Sequence, residues 1–571
     1  MVKSSKLFVI LIVLLFSVLW FEGYWDFLFN PDLQNDDVRT CIFPFHRYGP
    51  EKSLKNDPIS NEMLVFITPA VHLLYRIFVP LFGIYSSTKL VQLLCIGVIL
   101  FAGFILIRNK KIGLNIGLLF LFLIFHTTLI FQRGIAGGLP RSFAFPLFAL
   151  WTTGAFIKER RLRFFSIFGS ALFYPSSMLI LLISESFFLI LTQKTKKLRE
   201  MSKQIITIFI LFVITGAITI PILISTNDAG KVYSLKEAQQ EPAFGREGRL
   251  GVLPFKNPVK EFIKFFSEPL LPSGKPIVSS LSNFWPYENK VILLIPLSIY
   301  IVMLIILALK IKLFPWVTIS FLASSTFLYI LARFFAFLLY SPERFYSFGM
   351  PMGAIIFIVE FFILFKYKLT NNVIKREIVI NNSVSIFILI NILIFGNGID
   401  KNNNGMTIDR REHIKLYEFV KQLDKDIRIS CHPYDGDDIP FWTGRATMGG
   451  FETLQPWFKK AWEKQKKRTF DTIDAMYATD INEILFYAQK YHVSHFLINK
   501  DRYKSDFKEK ALMFQPFGNY ILLKLGDIEL NNLVFFDVKK ELVKFEDENY
   551  LILEVKDLEK LVHANFKSSN N

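Results

Sequence analysis

The sequence predicts a polytopic α-helical membrane bundle carrying an α/β domain at its carboxyl end. Three observations predict it. The 571 residues are 52% hydrophobic and 16% aromatic but only 20% charged, more apolar surface than soluble cores of ordinary size can hide. Apolar runs of span length recur through residues 1–397, while residues 398–571 alternate amphipathic helix and strand patterns. The net charge of +17 sits in short basic blocks between the apolar runs, where Lys and Arg set topology and face anionic lipid; this pattern leaves no nucleic-acid partner.

A span needs about 20 apolar residues. Such runs lie at about 7–29, 88–107, 113–131, 139–157, 204–224, 291–309, 313–334, 346–365 and 378–396, which makes about nine spans. The first is longer than a signal-peptide core and lacks a small-residue cleavage site, so it reads as a retained anchor. Residues 163–192 make one and a half spans interrupted by "FYPSSM". There Pro175 removes a helical hydrogen bond and Ser176 or Ser177 can cap a new helix, so the segment reads as a broken hairpin. Arg160, Arg161 and Arg163 precede it and Lys194, Lys196, Lys197 and Arg199 follow it, which puts both ends on the cytoplasmic side.

With that hairpin every other basic block falls on the same side: Lys3 and Lys6, Arg108 with Lys110 and Lys111, Lys310 and Lys312, and Lys366, Lys368, Lys375 and Arg376. The chain is then a multi-pass protein of the cytoplasmic (inner) membrane. The loops of about 30–87 and 225–290 and the whole tail after 397 are extracytoplasmic. Two loop segments read as interfacial helices. "TPAVHLLYRIFVPLFG" has Thr68 as cap and Pro69 at its start, with His72 and Arg76 on one face. "NPVKEFIKFFSEPL" carries Val259, Phe262, Ile263 and Phe266 opposite Lys256, Lys260 and Lys264.

In the tail, "REHIKLYEFVKQL" and "DINEILFYAQKYHV" read as helices and "IRISC" as a strand. "SHFLIN" and "YILLKL" continue the alternation of a small α/β layer, and "ELVKFEDENYLILEV" reads as an appended β-hairpin. Cys41, Cys95 and Cys431 have no metal spacing and make no disulfide framework; only Cys41 and Cys431 could pair.

Chemistry-bearing residues cluster at the mouths of spans. Asp36 and Asp37 follow the first span within "NPDLQNDDVRTCIFPFHRYGP", with Arg39, His46 and Arg47 close behind. Aspartate there can simply solvate a helix exit. It can equally serve as a general base for an acceptor hydroxyl or hold a divalent cation. Asp57 and Glu62 are weaker members of the same loop. In "FQRGIAGGLPRSFAF", Arg133 and Arg141 flank Gly134, Gly137 and Gly138, which permit close backbone approach to a ligand. In "YILARFFAFLLYSPERFYSFG", Arg333 ends one span and Glu343 with Arg344 opens the next. Guanidinium groups bind phosphate in bidentate fashion, so Arg333, Arg344, Arg133 and Arg141 are candidates for a lipid-phosphate clamp. The competing readings are snorkelling to headgroups and a Glu343 ion pair with Arg344 or Arg333. His46, Arg47 and Glu343 are candidate substrate contacts, as are His432 and Asp435 of "CHPYDGDDIPFWTGR", a loop at the carboxyl edge of the predicted sheet. Its Asp435, Asp437 and Asp438 match neither a calcium-loop nor a zinc spacing. Trp442, Trp457 and Trp462 can stack on sugars or pack in a core. No nucleophile elbow, phosphate loop or dinucleotide fingerprint occurs.

An acidic pair in the first external loop, amphipathic helices there, many spans with a broken hairpin, a second large external loop and an external α/β tail together resemble the GT-C class of integral-membrane glycosyltransferases. That class includes oligosaccharyltransferases, protein mannosyltransferases and the aminoarabinose transferases of lipid A. The tail segments "LYEFVKQLDKDIRISCHPYDGDDIPFWTGRATMGGFE" and "MYATDINEILFYAQKYHVSHFLIN" look like the tails of bacterial members. The resemblance implies a GT-C-like bundle that moves a sugar from a polyprenyl-phosphate-linked donor to an extracytoplasmic glycan, lipid or protein, with inversion. By that likeness Asp36 or Asp37 is the catalytic acid and Arg344 a lipid-phosphate ligand. Two departures stand out. The oligosaccharyltransferase signature of two tryptophans followed by Asp, Tyr and Gly is absent, which argues against protein N-glycosylation. The Asp-x-Asp spacing is absent too, so the cofactor is left unknown, a divalent cation being the one candidate. The alternative functions are a transporter or flippase of lipid-linked sugars, for which no internal repeat is seen and mid-span charges are few, and a non-catalytic polysaccharide assembly factor.

Overall fold

The computed structural model describes residues 2–192, 198–225, 229–270, 294–339, 341–368, 373–395, 407–526, 528–536 and 538–560. Among these, five helices are long and apolar enough to cross a membrane: Lys6–Phe29, Pro69–Arg108, Ser202–Ile220, Trp316–Phe334 and Pro342–Lys368. A sixth would be the pair Leu114–His126 and Ile130–Gly138, bent by 67°. The other expected spans include the 14-residue helix Ala144–Ile157 and Val373–Phe395, whose apolar part is Glu377–Ile392, with Leu294–Ile306 running on through a wider turn to Ile311. The "DKNNNG" linker, residues 226–228 and 271–290 of the second external loop, and Lys194, Lys196 and Lys197 lie outside the described residues.

Four sequence expectations change locally. The interfacial helix that begins at Pro69 is continuous with the next span, and the junction is a sharp bend at Gly83, whose φ of 74° suits a residue without a Cβ. The hairpin is two helices, Arg160–Phe173 and Pro175–Leu191, but the residue at the break is Tyr174, and Ser177 Oγ donates back to its carbonyl instead of capping. Arg163 does not face a cytoplasmic surface. Its guanidinium is buried against Glu185, 2.9 Å away, whose carboxylate also accepts from Trp151 Nε1. In the second external loop the helix Pro258–Ser267 forms as expected, yet Val259 is exposed while Phe266 and Glu261 are buried.

The Pro342–Lys368 helix is the most enclosed, with 89% of its apolar window buried. Gly349 and Gly353 explain how its neighbour comes so close. A Cβ on Gly353 would fall 2.3 Å from Leu322 Cδ2, and one on Gly349 would collide with Ser325 Oγ. Small residues four apart let helix backbones approach where lipid supplies no hydrophobic drive. The packed Trp316–Phe334 helix is capped across this contact by the Glu360 carboxylate, which accepts from Val317 N–H and Thr318 N–H. These contacts set where the first turn, and so Arg344, sits.

The tail is built on a sheet of order β4-β3-β5-β7-β6, with β3 (Arg428–Ser430), β4 (Ala446–Thr447), β5 (His495–Asn499), β6 (Val543–Glu546) and β7 (Tyr550–Glu554). β3 is parallel to β4 and β5; the β6–β7 hairpin joins antiparallel to β5 and so completes the sheet. Helices Ile414–Gln422 and Ile481–Tyr491 form as read, the latter capped by Asp480. "YILLKL" is no strand. It lies in the helix Phe517–Leu525, whose buried Phe517, Ile521 and Leu525 follow the helical period.

The tail also closes over the first loop. β1 (Leu33–Asn35) pairs antiparallel with β2 (Thr407–Asp409), Leu33 opposite Asp409, and Arg410 N–H donates to Asp32 O at 2.9 Å. One buried apolar cluster runs from the bundle through Phe43 and Phe45 into Ile429, Phe441 and Trp442. Loop and tail therefore lie on one side of the bundle.

The Arg163–Glu185 pair yields a stability test. Breaking a buried pair strands a charge and costs about 3–5 kcal/mol, whereas replacing both partners by apolar groups is often neutral. Arg163→Met is expected to lower the thermal unfolding temperature in detergent more than the double variant R163M/E185L does; equal losses would mean that the charge is not what matters.

Candidate active site

The site begins where the first helix leaves the bundle. Lys89, itself buried, donates from Nζ to Phe27 O and Leu33 O, 2.6 and 2.5 Å away, and so ties the helix exit to β1. At the end of β1 the Asn35 side chain accepts from Asp37 N–H at 3.1 Å and donates to Gln132 O at 3.4 Å. Asp36 Oδ1 also accepts from Asp37 N–H, at 2.9 Å. Asp37 then begins the short helix Val38–Cys41 without its side chain capping it. Both carboxyl groups are left free to face other segments.

Asp37 is ion-paired with Arg141. Arg141 is carried by the irregular turns Ile130–Ile135, Ala136–Gly138 and Pro140–Phe143, and the glycines there serve packing in the structure. Gly137 (φ 84°) would place a Cβ 2.8 Å from Asn35 Cβ, and Gly138 (φ 63°) would place one 2.7 Å from Thr88 O. This close approach sets Arg141 beneath the acidic turn. Two further cations act on Asp37: Arg344, in the first turn of Pro342–Lys368, and Arg249, from the second external loop. Burial alone would raise the Asp37 carboxyl. Arg141, Arg344 and Arg249 outweigh it and hold the group below its ordinary value.

Asp36 goes the other way. Burial, reinforced by the charges of Asp37 and Glu452 and opposed by Arg141 and Arg39, lifts it to about 6. Two adjacent carboxyls pushed apart are the arrangement in which one stays an anion and the other exchanges a proton near neutrality.

Arg39 links this pair to the tail. Its Nε donates to Asp36 O at 3.0 Å, and its guanidinium lies 3.2 Å from Asp438 and 3.6 Å from Glu452. Glu452 is buried and is also met by Arg249 at 3.1 Å, and Arg249 stacks 3.7 Å over the Phe451 ring. Thr40 Oγ1 donates to Glu452 O at 3.1 Å. Loop, tail and second external loop thus meet at one carboxylate.

Of the residues singled out from sequence, the structure brings together Asp36, Asp37 and Arg141, with Arg344 acting electrostatically on Asp37. The others are engaged elsewhere. Arg333 stacks 4.8 Å over Phe255 and donates to Tyr329, and the Arg133 side chain lies outside the described residues. His46 is buried with Nε2 2.7 Å from Phe441 O, and burial lowers it to about 4. Arg47 staples its own loop through Ser60 and Asn61, both at 2.8 Å. Glu343 meets Lys256 at 3.4 Å. His432 is buried against Ala511 O, which takes it to about 4, and Asp435 is held bidentate by Arg502. Asp57 caps the helix Pro58–Met63, and with Glu62 it ties the loop to Arg428 and Arg468 of the tail. Cys41 and Cys431 are free thiols.

Sequence reading missed Arg249 and Glu452. Nothing local marks either; the nearest signal is the basic "GREGRLG" in an external loop. Among the described residues no three His, Cys, Asp or Glu side chains converge as metal ligands. Of the acids here, Asp37 is engaged by Arg141 and Glu452 by Arg39 and Arg249, while the Asp36 carboxylate has no arginine ion pair among the described residues.

No protein-family model and no curated protein matches the sequence. Among solved structures the chain is similar to the oligosaccharyltransferase of Archaeoglobus fulgidus. Against the apo form the identity is 12% and the TM-score 0.46, over 88% of this chain and 70% of that one. Against the same enzyme, AglB, with an inhibitory peptide and a dolichol-phosphate they are 11% and 0.44, over 88% and 70%. Against the complex with Zn and sulfate they are 12% and 0.43, over 88% and 69%.

The raised Asp36 predicts a stability gain from its removal. Its folded value of about 6 lies above the ordinary value of 3.8, so ionising it penalises the folded state at every pH above about 6, and the penalty fades as pH falls toward 4. Asp36→Asn is expected to stabilise by about 1–3 kcal/mol at pH 7 and by nothing near pH 3.5, read as unfolding temperature against pH. A variant no more stable at pH 7 than at pH 3.5 would contradict the strained carboxyl.

Proposed function

We propose that the protein is a membrane glycosyltransferase that moves a sugar from a polyprenyl-phosphate-linked donor to an acceptor hydroxyl on the extracytoplasmic face. One observation carries the reading: just beyond the exit of a membrane-length helix, two carboxyls of opposite titration behaviour meet arginines from three other segments. A lipid-borne phosphate must present its sugar at that depth, where apolar chain and water meet.

The division of labour follows from the electrostatics. Asp36, poised near neutrality, accepts the proton of the acceptor hydroxyl. The acceptor oxygen bonds to the anomeric carbon as the bond from that carbon to the phosphate oxygen breaks, and the polyprenyl phosphate leaves with the extra negative charge. Arg141 and Arg344 stabilise that charge as it develops, and Arg249 adds to the positive field. Asp37 holds Arg141 in place until the phosphate arrives and keeps the local field negative, so that the neighbouring base stays weakly acidic. A single displacement inverts the anomeric centre. The donor's arginines and the acceptor's base come from different segments, so the acceptor approaches from the loop–tail side, and glycan, lipid or protein hydroxyls all satisfy the chemistry.

In proteoliposomes charged with a polyprenyl-phosphate sugar, Asp36→Asn is expected to lower kcat on the order of a hundredfold or more. Arg141→Gln and Arg344→Gln are each expected to raise the donor KM about tenfold or more. In wild type kcat/KM rises with pH to a plateau above about 6. Unchanged transfer by D36N, at normal expression, would remove the assigned base.

The reading also needs loop and tail outside the cell. In a chain with Cys41, Cys95 and Cys431 replaced by Ser, the exposed positions Ser505 and Lys110 serve as reporters. Ser505→Cys is expected to react with an impermeant maleimide on intact cells, and Lys110→Cys only after permeabilisation. The reverse pattern would overturn the topology and the function with it.

A further inference from the structure

Beside the acidic pair, on the far side of Arg39, the tail encloses a small cavity at the carboxyl ends of the parallel strands β3 and β5. Its walls are aromatic and polar at once. Tyr417, Tyr434 and Tyr550 contribute rings, and His413 stands edge-on to Tyr550 and Tyr417 at centroid distances of 5.2 and 6.2 Å. Asp437 lines it as well, although only 9% of its surface is exposed.

The acids here are not a bare negative field. Asp435 is held by Arg502 at 2.5 and 3.0 Å and by Asn499, at the end of β5, at 3.0 Å. Asp438 is met by Arg39 and by Tyr417 OH, both at 3.2 Å. Burial lifts the Asp437 carboxyl to about 8, with Glu452 and Asp438 adding and Arg39 and the Glu452 N–H opposing. At neutral pH that group keeps its proton and can donate.

What remains unsatisfied points to a ligand. Asp437 Oδ1 accepts from Glu452 N–H at 3.0 Å, but Oδ2 has no hydrogen-bond partner among the described residues. The His413 ring nitrogens and the Tyr550 hydroxyl, both on half-buried residues lining the cavity, also have no protein hydrogen-bond partner among the described residues and are open to it. A cation would find the carboxylates already neutralised by arginine, and a purely apolar group would strand these donors and acceptors. A sugar ring fits both demands. Its C–H face lies on an aromatic ring while its hydroxyls, each donor and acceptor, reach the acid, the imidazole and the phenol.

We infer that this cavity is a subsite for a neutral, hydroxyl-rich pyranose of the acceptor, held between Tyr434 and Tyr550 and hydrogen-bonded by Asp437 and His413. The assignment of that sugar to the acceptor rests on the proposed glycosyltransferase reading. It narrows the acceptor to a glycan or a glycosylated molecule, and it makes Arg39, which touches both the cavity and Asp36, the wall between bound sugar and base.

The test is saturation-transfer NMR on the full chain in nanodiscs. The probes are methyl α-D-mannopyranoside and methyl β-D-glucopyranoside, with protonated D-glucosamine and a capped peptide alongside. Ring-proton saturation by a neutral glycoside is expected in wild type and equally in Asp36→Asn, which leaves the cavity intact. Tyr434, 38% exposed, offers a mild change: Tyr434→Ala is expected to weaken binding about fivefold, while Tyr434→Phe keeps it. If Tyr434→Ala does not fold, His413→Leu at the half-buried wall takes its place, with the same loss expected. No saturation of either glycoside, saturation only by glucosamine or by the peptide, or binding untouched in a folded Y434A or H413L overturns the subsite. The two readings fail separately. A protein that transfers sugar in proteoliposomes yet binds neither glycoside loses the subsite alone, whereas binding without transfer supports the pocket and overturns the glycosyltransferase reading.

Discussion

The structure depends on the seam between the first external loop and the tail. β1 and β2 pair the backbone leaving the first helix in register with the backbone entering the tail, and Asp32 with Arg410 extends the same seam by one residue. Around it ion pairs, each with one buried partner, border an apolar interior. Arg445 reaches Glu51 at 2.6 Å and Arg428 reaches Asp57 at 3.5 Å, while Tyr85 donates to Trp442 O at 2.5 Å and packs on its ring. Because Arg445 and Asp57 are themselves buried, these pairs fix register, and losing one partner would strand a charge. The apolar interior supplies the drive, and the acidic turn is trapped between the two.

That trapping explains how two adjacent aspartates come to differ. Sequence neighbours in a solvated loop would titrate alike. Here Asp37 points toward a guanidinium carried by a glycine-tightened turn, and Asp36 is left beside a second anion supplied by the tail. The cost is a carboxyl that the fold itself disfavours, the common state of functional groups held where the chemistry needs them. Glu452 is the pivot: it raises Asp36, anchors Arg39 and Arg249, and belongs to a segment more than 400 residues away from the acids it influences.

The bundle contributes by packing more than by charge. Two glycines in the Pro342–Lys368 helix bring it against its neighbour, and this close contact is what sets Arg344 near the mouth. The buried Lys89 clamp on the first helix exit works in the same sense, since an ammonium among backbone carbonyls of a helix end is satisfied without a counter-ion. Both devices place a site group through residues that touch no substrate.

The chain by itself determined the membrane class, the acidic turn, the broken hairpin, the helix start at Pro69, though the Thr68 hydroxyl, expected to cap, instead donates to Phe173 O, the helix capped by Asp480, and the tail strands of "IRISC" and "SHFLIN". Each of these is encoded within one turn or one period of neighbouring residues: an apolar run, a cap, a proline, an alternation. It also marked Arg141 and Arg344 as cations at span mouths. Tertiary structure alone decided which cations meet the acids. His46, Arg47 and Asp435 look as reactive in sequence as Arg141 does, yet they are absorbed by Phe441 O, by Ser60 and by Arg502. Arg249 and Glu452 carry no local mark and are decisive. The physical reason is that a charge acts through distance and burial, and both are set by which distant segments pack together, whereas periodicity and capping act through neighbours along the chain.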